Sequence, residues 1–134
     1  MTESFSLEET QALARKLAHI SKRGDCHCLI GNLGAGKTEF ARAFIHELCG
    51  DINVSSPTFN ILQIYDNCEI PIYHFDLYRI KNPDELIEIG LDDALQNAIT
   101  LIEWPQVATS LLPENRTEIH IEILNDARRK IVII

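Results

Sequence analysis

No apolar run in this sequence approaches the ~18 residues needed to cross a bilayer, so no membrane span is expected. The start, Met1-Thr2-Glu3-Ser4, has neither a basic region nor an apolar stretch. No signal peptide is therefore expected, and the cytoplasm is the default location. No internal repeat, low-complexity tract or Pro/Gly-rich linker divides the chain, so residues 1–134 are expected to form one domain with one real core. Basic residues are scarce: 12 Lys and Arg stand against 20 Asp and Glu, a formal net charge of −8. That deficit argues against the chain gripping nucleic acid by itself, because phosphate contacts dominate such binding. The one dense basic run, Arg128-Arg129-Lys130, fits a solvated turn, although a basic group there could also reach a bound nucleotide. Cysteines 26, 28, 49 and 68 form no C-x-x-C pattern. On a strand, Cys26 and Cys28 face one side and His27 the other, so the three cannot share one metal ion. Buried reduced thiols are the expectation.

Against these absences stands one dense motif, Gly31-Asn32-Leu33-Gly34-Ala35-Gly36-Lys37-Thr38. It has the spacing G-x-x-x-x-G-K-[ST] of a phosphate-binding loop. Its glycines let successive N–H groups point into one concavity, an anion nest. Lys37 is spaced to reach the β- and γ-phosphates, and the Thr38 hydroxyl can ligate Mg²⁺. Residues 26–30 read as a short buried strand, and 39–49 as a helix with Phe40, Ala43, Phe44 and Leu48 at helical spacing. Strand, loop and helix are the setting the motif requires; a glycine-rich turn in a generic α/β domain is the alternative.

The rest of the chain supplies candidates for the other side of such a site. Ser6-Leu7-Glu8-Glu9 is a capping box, followed by Leu13, Leu17 and Ile20 on one helix face. Ser55-Ser56-Pro57-Thr58-Phe59 reads as an extended loop, since Pro57 biases Ser56 away from helix. Such a loop either approaches Mg²⁺ and the γ-phosphate or is a plain polar loop. Residues 60–65 and 70–75, split by Asp66-Asn67, read as a β-hairpin. Its second strand ends in Asp76, the Walker-B pattern. Asn82-Pro83-Asp84-Glu85 opens a helix that Gly90 ends, and 92–97 form a short helix. Ile99-Thr100-Leu101-Ile102-Glu103 is a second buried strand ending in a carboxylate, with Trp104 next. If both strands run parallel to 26–30, Asp76 and Glu103 meet the loop at the edge where open α/β sheets bind ligands. Trp104 fits either core packing or a nucleotide or partner contact. Residues 117–124 alternate as a half-exposed strand, with Ile119, Ile121 and Ile123 on one side, and 130–134 form a last strand.

Taken in order, the loop, Ser56-Pro57-Thr58-Phe59, His74-Phe75-Asp76-Leu77-Tyr78-Arg79 and Ile102-Glu103-Trp104-Pro105 resemble the bacterial TsaE (YjeE) family of tRNA threonylcarbamoyladenosine biosynthesis ATPases. The resemblance implies a compact α/β, P-loop NTPase-like domain with a mixed parallel and antiparallel central sheet flanked by helices. It implies ATP and Mg²⁺ as cofactors. It also implies an accessory ATPase, weak alone, that works with the TsaD–TsaB heterodimer on tRNA without itself transferring the group. By matching motif, the backbone of Asn32, Leu33, Gly34, Ala35, Gly36, Lys37 and Thr38 would cradle phosphates. Lys37, Asp76, Glu103 and Thr58 would be catalytic, and Thr38, Glu103 and Asp76 would serve the metal. Trp104 would stand beside the site, and Arg128 and Leu7 would approach the nucleotide. Which of Asp76 and Glu103 ligates Mg²⁺ directly is left open. Two other classes compete with the partner-dependent ATPase. One is a small-molecule kinase, for whose lid and acceptor pocket 134 residues leave little room. The other is a nucleotide-dependent interaction switch with negligible hydrolysis.

Overall fold

Strand sequences that are apolar on both sides demand cover on both faces, and the chain supplies a helical layer for each. The computed structural model describes residues 2–4, 6–32, 34–54, 61–126 and 128–134. Leu33 of the loop and the stretch 55–60, with Thr58, lie outside the described residues. Among the described residues seven strands form one sheet in the order β1-β7-β6-β2-β5-β4-β3. They are β1 (Thr2–Ser4), β2 (Cys26–Ile30), β3 (Leu62–Tyr65), β4 (Ile72–Asp76), β5 (Ile99–Glu103), β6 (Thr117–Ile123) and β7 (Arg129–Ile133). The central pairs β6–β2, β2–β5 and β5–β4 are parallel, and the outer pairs are antiparallel. The sheet is thus mixed and flanked by helices, as expected, and the hairpin is the β3–β4 pair.

Helices α1 (Leu7–Ile20) and α2 (Lys37–Cys49) pack on one face. Their core joins Ala14, Leu17, Phe40, Phe44 and Ile45 to Leu29, Ile72, Leu101, Ile119 and Ile121. The other face carries α3 (Asp84–Glu88), α4 (Leu91–Asn97) and a 3₁₀ segment (Pro105–Leu111), packed on Cys26, Cys28, Phe75 and Ile102. Cys26 and Cys28 thus share one side of β2. His27 points the other way, against Phe44 and the Ser21 hydroxyl, 2.8 Å from its Nε2.

Several local expectations change. Ser6 caps α1 by accepting from the Glu9 N–H, but the buried stripe is Thr10, Ala14, Leu17 and Ala18, and Ile20 is exposed. Ile123 is likewise exposed at the end of β6. Cys49 and Cys68 are not reduced thiols: a disulfide joins the end of α2 to the β3–β4 turn, while Cys26 and Cys28 stay free and buried. The pairing links residues 19 apart in sequence whose Cα atoms lie 4.6 Å apart, a proximity that only the folded arrangement creates.

Candidate phosphate-binding site

The loop begins where β2 ends. At Gly31 the chain passes so close to β6 that a Cβ would lie 2.5 Å from the Ile121 carbonyl oxygen, so only glycine fits. The loop then turns on the Ala35 N–H bond to the Asn32 carbonyl, 3.1 Å. Gly36 takes the left-handed conformation (φ +107°) just ahead of α2, which aims the positive end of that helix into the loop. Lys37, 5% exposed, folds back over the loop, and its Nζ donates to the Gly31 carbonyl at 2.8 Å. Thr38 follows on the first turn, half-buried.

Two carboxylates face this loop because of strand register. Asp76 pairs with Glu103 across β4–β5, and Glu103 pairs with Leu29 across β5–β2. Both therefore project from the α1/α2 face at the carboxyl ends of parallel strands. The ladder continues past them through the Leu77 N–H bond to the Glu103 carbonyl, 3.1 Å. Asp76 is half-buried, and its Oδ1 accepts from the Tyr78 N–H. Burial raises its carboxyl above the ordinary aspartate value; the Tyr78 bond opposes the rise and the Glu103 charge adds to it. Burial lowers Lys37 below the ordinary lysine value, and the negative charges of Glu103 and Asp76 oppose the fall. Glu103 is nearly buried, with its Oε2 held 2.7 Å from Nε2 of His74. Its second oxygen has no hydrogen-bond partner among the described residues. A hydroxyl, an anchored carboxylate with one oxygen to spare and a second carboxylate on the adjoining strand are the oxygen donors that suit Mg²⁺. That ion also keeps waters and phosphate ligands.

The family model described as "Threonylcarbamoyl adenosine biosynthesis protein TsaE" matches residues 4–131. The chain belongs to the TsaE family. A Rickettsia felis relative, named tRNA threonylcarbamoyladenosine biosynthesis protein TsaE, is 44% identical over 128 residues, covering 95% of this chain and 75% of that protein. A Bacillus subtilis relative of the same name is 39% identical over 125 residues, 92% of this chain and 78% of that protein. The crystal structure of Bacillus subtilis YdiB superimposes with a TM-score of 0.82 at 33% identity, covering 98% of this chain and 82% of that one.

In this TsaE-family chain Trp104 completes the wall of the loop. It is the single non-glycine residue with positive φ among the described residues (φ 56°). A residue before proline ordinarily stays extended, so this turn is held at a cost. The turn lays the indole against Lys37, whose Nζ is 3.5 Å from the ring centroid, and against Tyr78, with ring centroids 4.9 Å apart. Trp104 is therefore neither a core residue nor remote from the loop. Of the other sequence candidates, Asn32 and Gly34 are exposed and Ala35 is buried. Arg128 lies at the β6–β7 turn, where its backbone N–H donates to Asn125 Oδ1. Its neighbour Arg129 bonds the loop: Nε donates to the Ala35 carbonyl at 3.1 Å, and Nη1 to the Asn125 carbonyl at 2.8 Å. Leu7 opens α1 with its side chain 52% exposed. Arg79 is exposed just beyond Asp76. The basic run signalled Arg129 without separating it from Arg128, and His74 was visible only as a member of a motif.

Proposed function

We propose that residues 1–134 act as one Mg²⁺-dependent ATPase domain that serves threonylcarbamoyl-adenosine modification of tRNA together with the TsaD–TsaB heterodimer. One observation carries the reading. A phosphate-type loop opens α2 at the end of a central parallel strand, and the adjoining strands end in carboxylates that register with each other and with that strand. Backbone N–H groups from Asn32 to Thr38 would bind the phosphates of ATP, and Lys37 would neutralise them. Thr38, with Glu103 or Asp76, would hold Mg²⁺, which would draw charge from the β- and γ-phosphates as the bond to the γ-phosphate breaks. The carboxylate left free of the ion would orient the attacking water. Thr58 is proposed to meet the γ-phosphate, and Arg128 and Leu7 to flank the nucleotide. Arg129 supports the loop from behind. Turnover is slow until the partner binds, because the sequence pattern marks no arginine finger. The net charge of −8 leaves contact with tRNA to the partner.

Purified protein assayed for ATP hydrolysis with and without TsaD–TsaB tests this. Slow turnover alone and strong stimulation by the heterodimer are expected. ATP binding without stimulation would replace the reading with a nucleotide-dependent switch. Transfer of the phosphoryl group to a metabolite, unaffected by TsaD–TsaB, would make the protein a kinase.

A further inference from the structure

We infer that His74 is a positioning residue, which holds one oxygen of Glu103 so that the other is aimed at the metal–nucleotide site. The inference rests on the ATPase reading above. His74 precedes Asp76 by two residues on β4, so strand alternation puts both on the face that meets the loop. Its side chain is fully buried, that of Glu103 is 6% exposed, and they meet at 2.7 Å through Nε2 and Oε2. The carboxylate accepts, so Nε2 carries the hydrogen. The other ring nitrogen, Nδ1, is buried with no hydrogen-bond partner among the described residues.

That orphaned nitrogen is the informative detail. A position needed only for packing would be filled by Leu or Phe, with no polar atom to desolvate. An imidazole that forgoes one of its own bonds is kept for the bond it makes. Two facts about Glu103 show what that bond accomplishes. First, a free glutamate samples many rotamers, and ordering it costs side-chain entropy when a ligand arrives. His74 meets that cost before the nucleotide binds. Second, the bond engages Oε2 alone and leaves the second oxygen to a ligand. Carboxylates and imidazoles at metal sites are held by such outer partners, whose loss commonly costs about 10- to 100-fold in metal affinity or activity. Among the described residues no equivalent side-chain anchor holds Asp76, whose Oδ1 accepts from the backbone of Tyr78.

The test uses the full chain, two variants and two readouts. His74→Leu keeps bulk and removes the donor. His74→Gln can present an amide N–H near the former Nε2 position. In nucleotide-free wild type, NMR of ¹⁵N-labelled histidine is expected to show a protonated, slowly exchanging Nε2–H on His74 that is lost in Glu103→Ala. An unprotonated Nε2 overturns the proposal whatever the protein does with ATP. In calorimetry of ATP binding across an Mg²⁺ series, His74→Leu is expected to raise the half-saturating Mg²⁺ concentration about tenfold. ATP affinity without metal should stay within twofold, and His74→Gln should recover most of the loss. A His74→Leu variant with wild-type Mg²⁺ dependence overturns the proposal, as does a folded His74→Gln as impaired as His74→Leu. A wild type whose ATP binding ignores Mg²⁺ overturns the ATPase reading and this inference together, and is distinguished because it is seen before any variant is made.

Discussion

The two faces of the sheet are built from the same strands but differ in what they bury. On the α3/α4 face the interior is Phe75, Leu86, Leu91, Ile102 and Ala108 with two thiols, and Thr100 is the one buried hydroxyl-bearing strand residue there among the described residues. On the α1/α2 face the strands bury His27, His74 and Glu103, and Lys37 closes the top. Polar groups in an interior cost stability unless partnered, so a fold concentrates them where they are used. The difference sets a face whose interior is apolar apart from Thr100 and the thiols against one that adds buried ionisable groups to an apolar core beneath the proposed site, with β4 and β5 contributing alternate residues to each.

Substitutions sharpen that contrast. The largest effect is expected from Lys37→Ala, which removes the ammonium that both covers Gly31 and faces the carboxylates. ATP affinity should fall by more than about 100-fold, measured by calorimetry, because a charge-assisted contact in a partly desolvated site is lost. Glu103→Ala should cut Mg²⁺-dependent hydrolysis roughly 100-fold while ATP binding stays within a few-fold. It should also cost about 1–3 kcal/mol of stability, since the buried Nε2–H of His74 loses its acceptor. Wild-type turnover in this variant would remove Glu103 from the site.

Leu86→Ala tests the other face. A fully buried leucine truncated to alanine should lower unfolding free energy by about 3 kcal/mol in denaturant titration. ATP affinity, measured where the variant is folded, should change less than twofold. An affinity loss matching that of Lys37→Ala would erase the distinction between the faces. The smallest effect is expected from Arg129→Ala. Losing the brace to the Ala35 carbonyl should weaken ATP binding by about 1 kcal/mol, roughly fivefold, with little change in melting temperature.

The chemistry-bearing face was the more legible of the two in sequence. Its loop glycines, the lysine and the strand-end carboxylates are local patterns, and burial on both sides marks 72–76 and 99–103 as interior strands. What stayed hidden depends on register between distant segments. Finding Arg129 as a brace on the loop requires knowing where β7 starts against β6, since side chains alternate at every residue. The His74–Glu103 pair follows only once β4 and β5 are parallel with Asp76 opposite Glu103. Strand β1 is three residues long, too short for a periodic signal, and is defined by pairing with β7. The Cys49–Cys68 link likewise joins an element end to a turn, and cysteine spacing alone does not specify a partner.

Hydrogen exchange with and without Mg²⁺ and ATP tests the division between faces most directly. Nucleotide should slow exchange in peptides covering the 31–38 loop, the first turn of α2 and the strand ends at Asp76 and Glu103, and leave 84–97 unchanged. Slowing confined to 84–97, with the loop unaffected, would contradict it.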